Sequence, residues 1–426
     1  MSGRLHKLKV ALALVTVAYA AYLHLEEEKE KKRSRNIKET IKRKYELTRS
    51  LTHPDSSSSD EYEPSQKKSF QSTQIKIEQD SNDEFAGTQD NINSNTFTIR
   101  PDFVNSFVSK FSESQFKDAF RISRNTANQL FVRFKSSPEY KNIFKLTDQT
   151  RIPAKHYIWM FLWFVGRKCS YLELSEMFNV PLYKSVCVVD TVLQFLNSYA
   201  RDFIRFPETP SELRASAESF QQIAGFPDVI ACLVSTKIKA KADKDSFVAQ
   251  VFCDSKGRFL DVFVDSTIDI HSTEVLEKSQ MNQKLKNICQ GKYHTLATND
   301  YFVREWLLTP IDRPSSGEHI RYNRKHAKTM NVVSDSLELL TQRFPQLTNM
   351  HLLSSYKIKK VFTACCVLQN ICLENEDFFD TEEDPLLVKY YEDKLVQIKE
   401  KPIDGKAHLQ KIGELKRKQV LKKLID

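Results

Sequence analysis

The chain has 426 residues, of which 40% are hydrophobic, enough for two folded units with flanking tails. Glycine is scarce, at 9 residues, and neither a GxxxxGK[ST] nor a GxGxxG motif occurs, which excludes the usual phosphate-binding nucleotide loops. The 8 cysteines lie mostly in apolar runs without a CxxC pair, so we expect buried thiols with no disulfide and no zinc site.

The net charge of +9 is unevenly distributed. Residues 1–50 contain 13 Lys and Arg against 6 Asp and Glu, residues 51–100 contain 4 against 9, and residues 386–426 contain 11 against 6. A basic head, an acidic linker and a basic tail suit contact with a polyanion, although ordinary solubility requires charge as well.

Residues 1–49 are predicted to form a basic N-terminal helix. The apolar run Val10–Leu25 follows three basic residues, as in a signal peptide or membrane anchor. Its 16 residues fall short of the roughly 20 that span a bilayer, so we expect a helix packed on the folded body. A membrane-anchored protein held by residues 10–25 is the alternative, and membrane contact is otherwise not expected.

Two basic clusters follow this run and predict import into the nucleus. Paired clusters suit importin-type recognition because extended Lys and Arg side chains fill acidic grooves. A solvated helix with Glu27–Lys31 pairing gives the same pattern. The candidate import residues are Lys31, Lys32, Arg33, Arg35, Lys42, Arg43 and Lys44.

Residues 50–100 are predicted to form a disordered, acidic, Ser-rich linker, since low hydrophobicity and excess charge prevent a packed core. Lys76 lies in the sequence IKIE, followed by further acids, and is a candidate sumoylation site.

Residues 101–222 are predicted to form an all-α domain that contains a helix-turn-helix. The segment 157–165 (YIWMFLWFV) is apolar on all sides and too short to span a membrane, which predicts a buried helix. The sequences YLELSEMF, NVPLY and KSVCVVDTVLQFL then predict two helices joined by a tight turn. The second helix would present Tyr183, Lys184 and Ser185 to DNA, although any three-helix bundle has this pattern.

Residues 223–375 are predicted to form an α/β domain. The segments 227–234, 245–253 and 258–265 read as strands, with a hairpin turn at 254–257. A helix over 272–285, a strand over 293–298 and long helices over 318–344 and 357–373 complete the domain. Residues 376–426 are predicted to form a charged, helical C-terminal tail.

The long helix over 318–344 carries a row of basic side chains near its start. Arg321, Arg324, Lys325 and Lys328 recur at i, i+3, i+4 and i+7, which places them on one face. They are candidates for contact with DNA phosphates, and a solvated surface is the equal alternative.

Several motifs in this domain occur together in order. They are FP-x-VI from 226, GRFLDV at 257–262, WLLTP at 306–310, E-x-x-x-YN-x-x-H at 318–326, RF-x-x-L at 343–347 and ACCVLxNI at 364–371. In this combination the chain resembles the PIF/Harbinger transposase superfamily and its domesticated members over roughly residues 115–375.

The resemblance implies an RNase H-like mixed sheet flanked by helices, with carboxylates that hold Mg²⁺ or Mn²⁺ for phosphodiester cleavage. At the family's acid positions this chain has Val234, Ser272, Thr298 and Ser334. None is a carboxylate, so we expect no bound metal and no catalysis.

The resemblance also implies a partner, because a separate Myb/SANT-like protein commonly supplies DNA targeting in this superfamily. We therefore expect a catalytically inactive, nuclear protein associated with DNA or chromatin. The alternative is a divalent-metal nuclease that uses relocated acids, for which Asp265, Asp300 and Asp335 are the candidates.

Overall fold

A computed structural model describes residues 108–379 and 407–424, with gaps at 109, 144–151, 239–246, 267–270, 349 and 351–352. The predictions on the N-terminal helix, the two basic clusters, the linker and Lys76 lie outside the described residues. The helices are α1 Glu113–Phe120, α2 Arg124–Ser136, α3 Pro138–Ile143, α4 Ala154–Arg167, α5 Tyr171–Met177, α6 Leu182–Ser198, α7 Ala200–Phe203, α8 Pro210–Ala224, α9 Ser272–Lys278, α10 Gln280–Cys289, α11 Gly317–Arg343, α12 Ser355–Glu374 and α13 Ala407–Lys423. The strands are β1 Val229–Ile238, β2 Phe247–Cys253, β3 Phe259–Ser266, β4 His294–Ala297 and β5 Leu307–Leu308.

The five strands form one mixed sheet in the order β3-β2-β1-β4-β5. Strands β1, β2 and β3 pair in antiparallel fashion, and β4 and β5 run parallel to β1. The predicted mixed sheet flanked by helices is confirmed. Strand β5 was not predicted, because two residues are too few to show the alternation that marks a strand.

The turn between β2 and β3 is fixed by one side chain. Asp254 accepts hydrogen bonds from the backbone N–H of Lys256 at 2.8 Å and of Arg258 at 2.9 Å. Gly257 has a φ of 79°, a conformation that a residue with a Cβ rarely adopts. The predicted hairpin turn is confirmed.

Helices cover both faces of the sheet. One face packs against α11 and α12, and α12 in turn packs against α6 and α7, so that a single core cluster runs from Val108 to Leu424. The opposite face packs against α8, α9 and α10. The predicted helix over 272–285 is instead two helices, since the backbone at Ser279 is extended.

Helix α4 is buried inside the first cluster, as its sequence predicts. No helix in the described ranges is long and apolar enough to cross a membrane, and the run at 10–25 lies outside those ranges. All 8 cysteines are free thiols, and seven of them are buried as expected, whereas Cys187 is exposed.

Asn370 of α12 holds the β3 edge of the sheet. Its Oδ1 accepts from the N–H of Phe259 at 2.9 Å, and its Nδ2 donates to the carbonyls of Phe259 at 2.8 Å and Phe203 at 2.9 Å. The buried amide therefore replaces hydrogen bonds that a further strand would supply.

Helix α13 covers the β5 edge. The guanidinium of Arg417 donates to the carbonyls of Thr309 at 3.4 Å and Pro310 at 3.1 Å. Gly413 lies so close to Arg304 that a Cβ there would be 2.8 Å from the Arg304 backbone nitrogen. The C-terminal helix is therefore packed on the core and is not a free tail.

Asp261 of β3 gives the fold a pH dependence. Burial raises the pKa of this carboxyl to about 6, and nearby Lys284 opposes the rise. The folded state therefore binds more protons than the unfolded state between about pH 4 and pH 6, and stability falls as pH rises through that window.

We expect Asp261→Asn to raise the free energy of unfolding by about 1–3 kcal/mol above pH 6, because the amide avoids burial of a charge. The difference should vanish below about pH 4, where both side chains are neutral. Urea unfolding across this pH range tests the expectation, with the exposed Asp202→Asn as the control. An equal gain at every pH would contradict it.

Candidate functional site

The predicted acid positions lie on separate elements. Leu233 and Ala297 are the last paired residues of the parallel strands β1 and β4, and Val234 and Thr298 each follow by one. Ser334 belongs to α11, which packs against both strands. Val234 and Thr298 therefore lie at the carboxyl end of the parallel pair, whereas Ser334 is placed only on the helix that packs against these strands.

Val234 provides no metal ligand there. Its half-buried side chain packs against the larger core cluster, so an apolar contact occupies the position. Ser334 is half-buried on α11.

Thr298 directs its hydroxyl toward an acid two residues along the chain. Its Oγ1 lies 3.4 Å from Oδ2 of Asp300. The strand predicted over 293–298 ends at Ala297, so Thr298 and Asp300 both lie in the turn that follows β4.

Ser272 belongs to a polar cluster of four residues, Ser235, Gln250, Ser272 and Tyr301. The hydroxyls of Ser235 and Ser272 are 2.7 Å apart. Gln250 lies opposite Ser235 on β2, and its Nε2 donates to the Ser272 carbonyl at 2.6 Å and to Tyr301 Oη at 3.0 Å. Burial raises the pKa of Tyr301 above its usual range, because the phenolate would lose its hydration.

All four members of this cluster are uncharged at neutral pH. The hydroxyls and the Gln250 Nε2 bond within the cluster, whereas Gln250 Oε1 is buried without a hydrogen-bond partner among the described residues. The cluster provides no negative charge to offset the dehydration of a divalent cation. Sequence reasoning missed Ser235, Gln250 and Tyr301. The signal for Gln250 was present, since it is the one polar residue within the apolar strand FVAQVFC.

The three relocated acids do not form a metal site. Asp265 pairs with Lys278 at 3.2 Å and Lys359 at 3.6 Å, and Asp335 is exposed on α11. Within the described ranges no group of three His, Cys, Asp or Glu side chains is placed to hold a metal ion. The residues present at either set of positions do not fit Mg²⁺ or Mn²⁺.

The YN-x-x-H motif acts through hydrogen bonds to the chain after β5. Tyr322 donates its hydroxyl to the Thr309 carbonyl at 3.1 Å, and the amide of Asn323 bonds both the N–H and the C=O of Ile311, at 2.8 and 2.9 Å. The His326 ring lies 3.3 Å from a β5 carbonyl, and burial lowers its pKa to about 4. The motif is a structural clamp.

Residues 235–370 match the family of DDE superfamily endonucleases. This segment is similar to those endonucleases, and it covers about a third of the chain. The resemblance read from the sequence is thereby confirmed, and the mixed sheet with its helices is consistent with a DDE endonuclease fold.

The chain is also similar to the proteins named "Putative nuclease HARBI1". It is 30% identical to that of Mus musculus and 29% identical to that of Homo sapiens, each over 206 residues. These matches cover 45% of this chain and 59% of each relative, so the chain spans less than two thirds of their length. No solved structure matches this chain.

The predicted basic face of α11 is present. Arg321, Arg324 and Lys328 are exposed and form no hydrogen bond or ion pair with any described residue. Lys325 is half-buried and donates to the Gly225 carbonyl at 3.4 Å. Three of the four cations therefore face solvent.

The helices predicted as a helix-turn-helix are α5 and α6. Tyr183 is exposed and Lys184 is half-buried. Ser185 is buried, and its hydroxyl donates to the carbonyls of Leu182 at 2.7 Å and Tyr171 at 3.0 Å. Ser185 as a DNA contact is therefore wrong. DNA contact by the other two residues stays a prediction.

A double-mutant cycle tests the polar cluster. We expect Ser235→Ala and Ser272→Ala to be coupled by about 0.5–1.5 kcal/mol, the net contribution of one hydrogen bond. Urea unfolding of the two single variants and the double variant measures this coupling.

The control cycle pairs Ser235→Ala with Ser334→Ala, since no hydrogen bond links these two residues. It should give a coupling near zero. Additive effects for Ser235 and Ser272 would show that their contact does not contribute to stability.

Proposed function

We propose that this protein is derived from a Harbinger transposase, has no metal-dependent nuclease activity, and acts in the nucleus as a DNA- or chromatin-associated interaction protein. One observation carries the proposal: the acid positions hold Val234, Ser272, Thr298 and Ser334 within an intact sheet.

The loss of activity follows from the requirements of the metal. Mg²⁺ binds oxygen ligands, preferably charged ones, and cleavage of a phosphodiester with two metals requires several carboxylates together. Valine has no ligand atom, and the hydroxyl of Ser272 is already bonded to Ser235. Neutral hydroxyls do not offset the dehydration of the ion.

The groups that hold the fold are present even though the acids are missing. The clamp of Tyr322, Asn323 and His326 holds the chain after β5, and Asn370 holds the β3 edge. An RNase H-like domain without its carboxylates can bind partners through its surface but lacks the groups for metal-dependent cleavage. This supports a role in binding.

Nucleic acid is the first partner that the surface supports. The exposed cations Arg321, Arg324 and Lys328 have no acidic partner among the described residues, and phosphates would neutralise them. Tyr183 and Lys184 at the start of α6 form a second candidate contact.

A protein partner and a nuclear location complete the proposal. The resemblance implies a Myb/SANT-like or other chromatin protein that supplies targeting. The basic clusters at 31–35 and 42–44 support nuclear import.

An assay of plasmid nicking with Mg²⁺ and then Mn²⁺ tests the loss of activity. We expect supercoiled DNA to remain intact, because the described part of the chain contains no carboxylate cluster that could hold the ion. Asp300→Asn is the matched variant, since Asp300 is the acid in contact with an acid position. Metal-dependent nicking that disappears in Asp300→Asn would overturn the proposal and favour the nuclease with relocated acids.

A further inference from the structure

We propose that helix α13 extends the basic face of α11 into one surface that binds the phosphate backbone of duplex DNA. The inference rests on the DNA contact in the proposed function. It goes beyond that contact because α13 lies outside the segment that matches the endonuclease family.

The two helices are joined through the chain after β5. Arg417 of α13 and Tyr322 of α11 both donate to the carbonyl of Thr309, at 3.4 and 3.1 Å. The helices also pack directly against one another. Their positions are therefore fixed relative to each other.

The basic residues of α13 divide into two groups, and the first group anchors the helix. Lys416 donates to the carbonyls of Gly291 and Lys292, and Lys423 pairs with Asp228 at 2.6 Å. Arg417 bonds the chain after β5, as described above. These side chains attach α13 to the core through hydrogen bonds and an ion pair.

The second group faces solvent. Lys411, Lys418 and Lys422 are exposed and form no hydrogen bond or ion pair with any described residue. At about 100° per residue, positions 411, 418 and 422 fall within about 40° of one another around the helix axis. They share one outward face and do nothing for the attachment of α13.

The outward faces of the two helices are predominantly basic, and Asp228, an acid beside α13, is already paired with Lys423. The outward cations of α13 add to Arg321, Arg324 and Lys328 of α11, and the only acids in residues 317–330 and 407–424 are Glu318 and Glu414. These six exposed cations, which have no partner among residues 108–379 and 407–424 where the structure describes them, repel one another, so a ligand with dense negative charge would relieve the repulsion.

The spacing of these cations suits a phosphate backbone. Residues 321–328 cover about 10 Å of helix, and residues 411–422 cover about 16 Å. A duplex presents one negative charge for about every 1.7 Å of its axis, so both rows can contact phosphates at once. Contacts of this kind carry little sequence information, which predicts binding that depends on salt more than on sequence.

An acidic protein is the competing partner. Ile320, Ile412 and Leu415 are exposed near the cations and could contact apolar side chains of such a protein. Charge predominates in this surface, and the experiment includes a polymer of acidic residues to distinguish the two partners.

The test measures binding of the full chain to a fluorescein-labelled duplex of about 20 base pairs by anisotropy, between about 50 and 200 mM salt. The α13 variant is Lys411→Gln, Lys418→Gln, Lys422→Gln, and the α11 variant is Arg321→Gln, Arg324→Gln, Lys328→Gln. We expect each triple variant to bind about ten-fold more weakly or worse at about 0.1 M salt. Each should also reduce the slope of log K against log salt by about 2–3.

The matched control removes the same charge from helices elsewhere on the core, with Lys135→Gln, Lys141→Gln and Arg201→Gln, all exposed positions. It should bind within about two-fold of the original chain and keep its salt slope. Circular dichroism confirms that each variant is folded, since none of the substituted α11 or α13 side chains bonds a described residue.

Each outcome decides whether this surface binds DNA and which of the two helices takes part. If the α11 variant weakens binding and the α13 variant does not, the inference fails while the proposed DNA contact stands. If the original chain does not bind the duplex, the DNA contact fails as well. If poly-glutamate at equal charge concentration displaces the duplex, the surface binds acidic protein, and its assignment to nucleic acid is overturned.

Discussion

Helix α11 holds the carboxyl end of the sheet together through three polar side chains. Tyr322, Asn323 and His326 bond the chain that leaves β5, and the same chain receives Arg417 from α13. Because these groups are buried or half-buried, each unmade bond would cost about 1–3 kcal/mol. The positions of β5, α11 and α13 therefore depend on one another.

The candidate site lies beside α11, but its residues are not part of the hydrogen bonds that join α11, β5 and α13. The acids of a two-metal site repel one another unless cations are bound, so such a site lowers the stability of the metal-free protein. Here an apolar contact at Val234 and a hydroxyl pair between Ser235 and Ser272 occupy its place. The scaffold can lose its chemistry and keep its shape, because the groups that hold the sheet differ from those that would hold the metal.

The surface beside the candidate site differs from the site in its charge. The buried cluster around Ser272 is uncharged, whereas the outer faces of α11 and α13 carry cations without partners among the described residues. This distribution of charge agrees with the proposal that the surface binds a polyanion. The two proposals are thus consistent, one about the interior of the site and one about the surface beside it.

Local periodicity and residue identity were enough to predict strands β1 to β3, the long helices α11 and α12, the buried helix α4 and the four non-acidic positions. The other features depend on contacts between residues that are distant in the chain. Strand β5 is too short to show a pattern, and the cluster of Ser235, Gln250 and Tyr301 joins residues far apart in the chain. Ser185 has the residue type of a DNA contact, yet packing buries it, and the anchoring of α13 through Lys416 depends on carbonyls that no sequence pattern reveals.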